Sequence, residues 1–405
     1  MTGSPLARQP NPLPNPFRPG NGVPPPYLSG RDALLADVED WLVEEPPLHA
    51  NWTLTGLRGT GKTVLLGEIA QRAERSGWLT LERELSDRHR DDARLAEALA
   101  GDCRALEGRA DALAGVGQSL GRGARFLRPR RVTVGAVSVE PSYEAADPAP
   151  ADAIAAALSS LTAALERSGR RGAVLLLDEA HLLADDRQRE RYPLSALLAA
   201  LGRAQRGGPR VRVVLSGLPT LSLNLKRART YAERMFRHVV VGNLPPDAAA
   251  DALAVPLAGG GRTFSRGLIE HIVEQTAGYP YFLQFAGAFA CGRIGLPDLD
   301  LPDFQRVEAA LLHELDLAFF EDRFEGAAPT EQALLLAMAR AGGRATLARV
   351  AGEAGVGVNA AVGLRRLIDK GLVYRPTRAT YDFALPLFAG YLGRRAELTG
   401  LSWPR

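Results

Sequence analysis

Apolar residues along this chain recur at two spacings, and the places where one gives way to the other mark its elements. WTLTG, ending at Gly56, alternates Trp52 and Leu54 as a short strand does, whereas TVLLGEIAQRAERSG spaces Val64, Leu65, Ile69 and Ala73 along one face of a helix. WLTLEREL (78–85) reads as a second strand, residues 91–121 as an Ala-rich helix, and RRVTVGAVSVEPS (130–142) as a hairpin around Gly135. AVLLLD, ending at Asp178, is apolar without interruption, the pattern of a parallel strand buried on both faces. PLSALLAALGRAQRGG then predicts an amphipathic helix, VRVVLSGLP (211–219) another apolar strand, and LKRARTYAERMFRHVVVGNL one basic amphipathic helix followed by a strand. Helical segments continue through LPPDAAADALAVPL, SRGLIEHIVEQTAG and the stretch after Pro280, ending near DLAFFEDRFEG. Beyond them, PTEQALLLAMARAGG opens with a good helix start, and TLARVAGEAGVGVNAAVGLRRLIDKG gives two short helices around a Gly-containing turn, a helix-turn-helix arrangement. LVYRPTRATYDFALP closes the pattern with two strands and a loop.

Length and composition narrow the class. A chain of 405 residues exceeds one ordinary core, which predicts two or three domains, and 46% apolar with 23% charged residues is a globular composition. The apolar runs are far shorter than a membrane span, so no transmembrane helix is expected. Residues 1–28 are dense in Pro, Gly and Asn without an apolar core segment, which predicts a flexible arm rather than a signal peptide, and with it a cytoplasmic location. Cys103 and Cys291 are the only cysteines and the six histidines are scattered, which excludes a disulfide framework and argues against a protein-built transition-metal site. The net charge of +3 decides nothing about nucleic acid. Lys62, Lys226 and Lys370 are the only lysines in a chain that otherwise uses Arg, and one of them falls inside the sequence GLRGTGKT.

That stretch, Gly56-Leu57-Arg58-Gly59-Thr60-Gly61-Lys62-Thr63, fits the phosphate-binding pattern GxxxxGK[ST] and sits where the pattern must, between a strand and a helix that continues with Val64. Gly56, Gly59 and Gly61 let the backbone turn tightly and aim its N–H groups at phosphate oxygens. Lys62 is placed to reach the outer phosphates and Thr63 to offer its hydroxyl to Mg²⁺. A second acidic motif supports this: Asp178 at the end of AVLLLD would hold Mg²⁺, and Glu179 would polarise an attacking water. The bland alternative is two acids that merely suit the dipole of a helix at HLLADD. A helicase of the DEAH kind would need a second core domain with its own Arg-rich motif, and only one P-loop unit is visible. Ser216 is the polar residue at the end of the next strand, where it would approach a terminal phosphate. Arg227, Arg229, Arg234 and Arg237 read as solvated surface charges, with Arg234 the candidate to act on a neighbouring subunit's nucleotide.

Taken together, YLSGRDALLADVEDWL, GLRGTGKT, LLLDEAH, VLSGLP, YAERMFR and EQTAGYPYFLQFAGAFA make residues 30–290 resemble an AAA+ ATPase, in the branch of origin-recognition initiators and transposition-targeting ATPases. The resemblance implies ATP with Mg²⁺, and a base and ribose flanked by Ser29–Asp32 and by Gly278–Gln284, which includes Tyr279 and Pro280. It also matches Arg234 to the trans-acting arginine. Two positions depart from the family pattern: Ser216-Gly217 stands where a polar sensor, often Asn, is usual, and Tyr279, Pro280 and Tyr281 stand where the lid usually carries Arg or Lys. Slow or partner-dependent hydrolysis follows. Signalling NTPases of the STAND type share a GxP segment here and are the rival resemblance.

The expected organisation is therefore an arm (1–28), an α/β P-loop domain with a parallel sheet and helices on both faces (29–245, with an insertion at about 85–150), a helical lid (246–324), a winged helix-turn-helix domain (325–396) and a tail (397–405). In a DNA-binding reading, the helix Val358–Lys370 enters the major groove with Asn359 toward bases and Arg366 toward phosphate, while Arg375 and Arg378 on the wing touch the backbone. The first half of that helix is poor in side chains that read base edges. The functional expectation is an ATP-dependent switch on duplex DNA that self-associates or recruits a partner protein. The alternatives are a signalling NTPase whose winged helix contacts protein and an ATP-binding scaffold.

Overall fold

The computed structural model describes residues 13–120, 148–355 and 359–398. The hairpin expected at 130–142 and Val358 lie outside these residues. The described chain forms two compact units: one comprises Leu35–Thr55 and Leu65–Val240, the other the residues up to Leu34, the Gly56–Val64 loop and the chain from Val241 onward.

In the first unit, β1 (Asn51–Thr55), β2 (Leu79–Glu84), β3 (Ala173–Asp178), β4 (Val211–Gly217) and β5 (Phe236–Val240) form a parallel sheet in the order β2-β3-β4-β1-β5. Its helices are most of α1 (Asp32–Val43) and of α2 (Lys62–Arg75), whose first three residues each belong to the other unit, with α3 (Asp92–Leu120), α4 (Pro150–Ser168), α5 (Pro193–Ala204), α6 (Thr220–Ala228) and α7 (Ala232–Met235). Ala173, Leu175 and Leu177 of β3 join one apolar cluster with Leu106 of α3, Leu158 and Leu161 of α4 and Leu201 of α5. Residues of opposite parity face the other side of a strand. There Arg212 of β4, fully buried, lies over the rings of Trp78 at 4.4 Å and of Trp41 in α1 at 5.4 Å. Its N–H groups go to the carbonyls of Trp41 and, at 2.9 Å, Glu44, at the end of α1 where the helix dipole favours a cation. Burial lowers the pKa of Arg212 to about 10, so the charge persists at neutral pH. Helices thus cover both faces, as expected.

The single basic helix expected after β4 is two. Arg229 takes an extended conformation after α6, and α7 ends at Met235 where Phe236 enters β5 beside Asn51 of β1. Leu225, Ala232 and Phe236 are all buried, as one continuous helical face would require, so apolar spacing is blind to the break.

The second unit runs through α8 (Pro246–Gly259), β6 (Thr263–Phe264), α9 (Arg266–Thr276), α10 (Pro280–Arg293), β7 (Asp298–Leu299) and α11 (Leu301–Leu315). A single π-helical turn, Asp316–Phe320, joins α11 to α12 (Glu321–Glu325). Then follow α13 (Pro329–Arg340), β8 (Ala345–Thr346), α14 (Leu347–Ala354), α15 (Ala360–Asp369), β9 (Val373–Tyr374), β10 (Thr380–Phe383) and α16 (Phe388–Leu398). Strands β8, β10 and β9 pair as a small antiparallel sheet in the order β8-β10-β9, in the same stretch of chain as α13, α14 and α15. One apolar cluster, from Leu244 through Phe320 to Leu392, runs without a break across the segments expected as lid and C-terminal domain. Of the stretch expected as a flexible arm, the residues from Leu13 on carry no helix or strand, yet they are anchored: Phe17 is buried beside Phe264, and Asn15 donates to the Ala288 carbonyl at 2.8 Å.

Helix α15 approaches α13 closely enough that a Cβ on Gly363 would fall 2.3 Å from Leu334. Beyond its end, Lys370 donates to the carboxylate of Glu331 at 2.7 Å and to the Gly326 carbonyl at 2.9 Å, and Glu331, 3% exposed, also accepts from the Ala328 N–H. Burial alone would raise the Glu331 pKa, but these donors outweigh it and hold the carboxyl below its usual range. Lys370→Met leaves a buried carboxylate without its cation. The expected cost is about 2 kcal/mol, less than for a fully buried pair because Lys370 is partly solvated. Hydrogen exchange should show α13 and α15 amides losing about thirtyfold protection at neutral pH. A depressed carboxyl pKa stabilises the fold above the unfolded value and loses that contribution as pH falls through the folded value, so the difference from wild type should shrink below about pH 4.

Candidate functional site

The loop Gly56–Lys62 follows β1 and leads into α2, and its conformation explains its glycines. A Cβ on Gly56 would lie 2.1 Å from the Val241 carbonyl, and one on Gly59, at φ +74°, 2.1 Å from the Tyr279 hydroxyl. Gly61 has φ +90°, in the left-handed region that favours glycine. Thr60 closes the turn by donating to the Leu57 carbonyl at 2.9 Å. The Lys62 ammonium is gathered over the loop, donating to the carbonyls of Gly56 at 3.0 Å and Leu57 at 2.8 Å. Thr63 is exposed and Val64 half-buried on the first turn of α2.

Two residues brace this loop from elsewhere in its unit. Arg31 donates to the carbonyls of Thr60 at 3.2 Å and Gly242 at 2.6 Å, and burial lowers its pKa. Tyr279, preceding Pro280 at the start of α10, is fully buried and donates its hydroxyl to the Arg58 carbonyl; burial raises its pKa. Sequence reasoning named both segments but not these contacts with the loop, because no spacing rule links positions so far apart. The loop fits a polyphosphate in the positive φ of Gly59 and Gly61, in the open space beside Gly61, and in the lysine ammonium that lies over it.

The acidic residues belong to the other unit. Asp178 ends β3, and its Oδ1 accepts from the buried Ser216 hydroxyl on β4 at 2.7 Å and from the Glu179 N–H at 2.8 Å. Ser216 thus fixes the Asp178 carboxylate. Glu179 adopts a left-handed conformation, φ 55° and ψ 28°, costly for a residue with a Cβ and characteristic of functional sites. Its carboxylate lies 3.1 Å from His181 Nδ1. No helix of the kind expected at HLLADD follows; Ala180–Leu182 make one short 3-10 turn. Glu82 on β2 has its pKa raised by burial and then by the Glu74 and Asp178 carboxylates. Arg234 is exposed in the last turn of α7, and its carbonyl faces the His49 ring at 3.4 Å.

In the C-terminal module, Asn359 is the exposed residue before α15, and Arg366 is exposed on it. Arg375 and Arg378 sit on the loop between β9 and β10, where Arg375 donates to the Arg378 carbonyl and lies 5.0 Å from the Tyr381 ring. Val362 of α15 is 54% exposed. Among the described residues no helix is long and apolar enough to cross a membrane.

A family model described as a domain of unknown function (DUF8462) matches residues 317–392. No curated protein matches the chain. Among solved structures, the Walker-type ATPase of Pyrococcus abyssi is 17% identical with a TM-score of 0.59, the match covering 90% of this chain and 96% of that one. The ORC2 protein of Aeropyrum pernix in its ADPNP–ADP complexes is 14% identical with a TM-score of 0.51, covering 93% of this chain and 97% of that one. Its ADP form is 14% identical with a TM-score of 0.50, covering 94% of this chain and 97% of that one. With the β2-β3-β4-β1-β5 order and the glycine loop after β1, the fold is that of an α/β P-loop NTPase.

Proposed function

We propose that the protein is an ATP-dependent, initiator-like AAA+ switch that acts on duplex DNA through its C-terminal module. In this reading the Gly56–Gly61 backbone and Lys62 hold the phosphates, Thr63 and Asp178 hold Mg²⁺, Glu179 orients the attacking water, and Arg234 completes a neighbouring subunit's site. Ser216 positions Asp178, Tyr279 keeps the loop in shape, and Pro280 borders the base and ribose. When bound, Mg²⁺ would supply positive charge that offsets the charge developing on the phosphates. Asn359, just before α15, and Arg366 on it would face the duplex, with Arg375 and Arg378 on the duplex backbone from the β9–β10 loop.

The observation that carries the reading is the loop itself, with glycines at positions a Cβ could not occupy and the Lys62 ammonium above them. Coupling to DNA is supported by the location of the loop and the C-terminal module in one compact unit with one continuous core. Steady-state ATP turnover with and without duplex DNA tests it: the rate should rise by at least about threefold with DNA and vanish in Lys62→Ala. Turnover that ignores DNA would favour the second reading, a signalling NTPase whose module contacts protein. That reading has its own support in Ala361 and Val362, apolar and exposed on the helix that would otherwise read bases.

A further inference from the structure

The π-turn Asp316–Phe320 interrupts what is otherwise continuous helix from Leu301 to Glu325. Such a turn has one more residue per hydrogen-bonded ring than its α-helical flanks, and isolated π-turns are rare and concentrate at functional positions. It persists where surrounding contacts hold it, and here they come from two sides. Toward the C-terminal module, Asp316 accepts from Arg394 of α16, with Nε at 2.9 Å, and the ring of Phe320 lies 5.5 Å from Phe388 and 5.6 Å from Tyr391. Toward α10, Phe319 stacks on Tyr281 at 5.0 Å and meets Phe282 edge-on at 5.3 Å.

This second side leads to the phosphate loop. Phe282 lies 4.6 Å from Tyr279, whose hydroxyl is bonded to the Arg58 carbonyl. Arg323, just beyond the turn, stacks over Phe319 at 3.9 Å and donates to its carbonyl. A separate observation ties the turn to the module: the family match begins at Leu317, inside the turn, and runs to Leu392 in α16, so Leu317–Phe320 and the module fall in one sequence unit, with Asp316 and Arg394 just outside its two ends.

We propose that the π-turn is a two-state joint through which the phosphate loop sets the conformation of the C-terminal module, with the Asp316–Arg394 pair as its output link. Relaxation of the turn to α-helix would change the rise by about 1.5 Å and rotate one flank against the other by about 100° per residue of register. Aromatic packing on both sides resists intermediate positions, which makes the joint bistable rather than elastic. The inference rests on the nucleotide-binding reading above.

The test is hydrogen exchange of the full chain with and without ATP, alongside ATP affinity, for wild type, Lys62→Ala and Arg394→Met. In wild type, ATP should change exchange in α16 and the β9–β10 wing by at least about fivefold. Arg394→Met should bind ATP within about twofold of wild type, yet show no ATP-dependent change in α16. Asp316→Asn keeps the shape while removing the charge, and should reduce the response in the same direction. A wild type that binds ATP through Lys62 without any change in α16, or an Arg394→Met protein that keeps the full response, overturns the joint. A wild type that binds no ATP overturns the nucleotide reading itself.

Discussion

Lys62→Ala is expected to weaken ATP binding by at least about a hundredfold, as measured by calorimetry or a fluorescent ATP analogue. The ammonium is the loop's own cation, and its two bonds to the Gly56 and Leu57 carbonyls show that the stem already brings it over the loop backbone. A charge-assisted hydrogen bond contributes about 1.5–3 kcal/mol. Loss of the contacts of one ammonium to two phosphate oxygens therefore corresponds to about two decades in affinity. The same change also removes the tie between the loop carbonyls, which adds to the loss. An alanine variant with wild-type affinity would remove the P-loop from the account.

Glu179→Gln is expected to separate binding from chemistry, retaining ATP affinity within about threefold. Turnover should fall by about a hundredfold or more, because an amide cannot accept the proton or polarise water as a carboxylate does. The substitution keeps the side-chain length and the left-handed backbone at φ 55°, so it isolates the charge. Lost affinity as well as turnover would point to a binding role for Glu179, and normal turnover would sink its assignment as the water-orienting residue.

The sheet and the loop were legible because each has a local signature. Alternation at Trp52 and Leu54, an unbroken apolar run into Asp178, and glycines followed by Lys62 all lie within a few residues of one another. What escaped notice has no local signature. Strands β6 and β7 are two residues each, too short for any period to show, and pair across more than thirty positions, Thr263 with Asp298. The anchoring of Phe17 depends on Phe264 of β6 and on Gly287 of α10, where an added Cβ would lie 2.7 Å from its ring. The π-turn hides in the periodic apolar sequence DLAFF because its Phe320 is buried just as an α-helical register would have it. At the candidate site, the motif residues could be named from sequence, but Tyr279 on the Arg58 carbonyl and Arg31 on Thr60 are tertiary contacts made across long stretches of chain.

The most direct test of the central claim is the affinity of the full-length protein for duplex DNA, measured in ATP and in ADP at about 50 and 200 mM salt. A nucleotide-dependent switch on DNA predicts affinities that differ by at least about tenfold between the two nucleotides. Both should fall steeply with salt, as contacts from Arg366, Arg375 and Arg378 to phosphates release counterions. Equal affinity in ATP and ADP, or no binding even at low salt, would contradict the account.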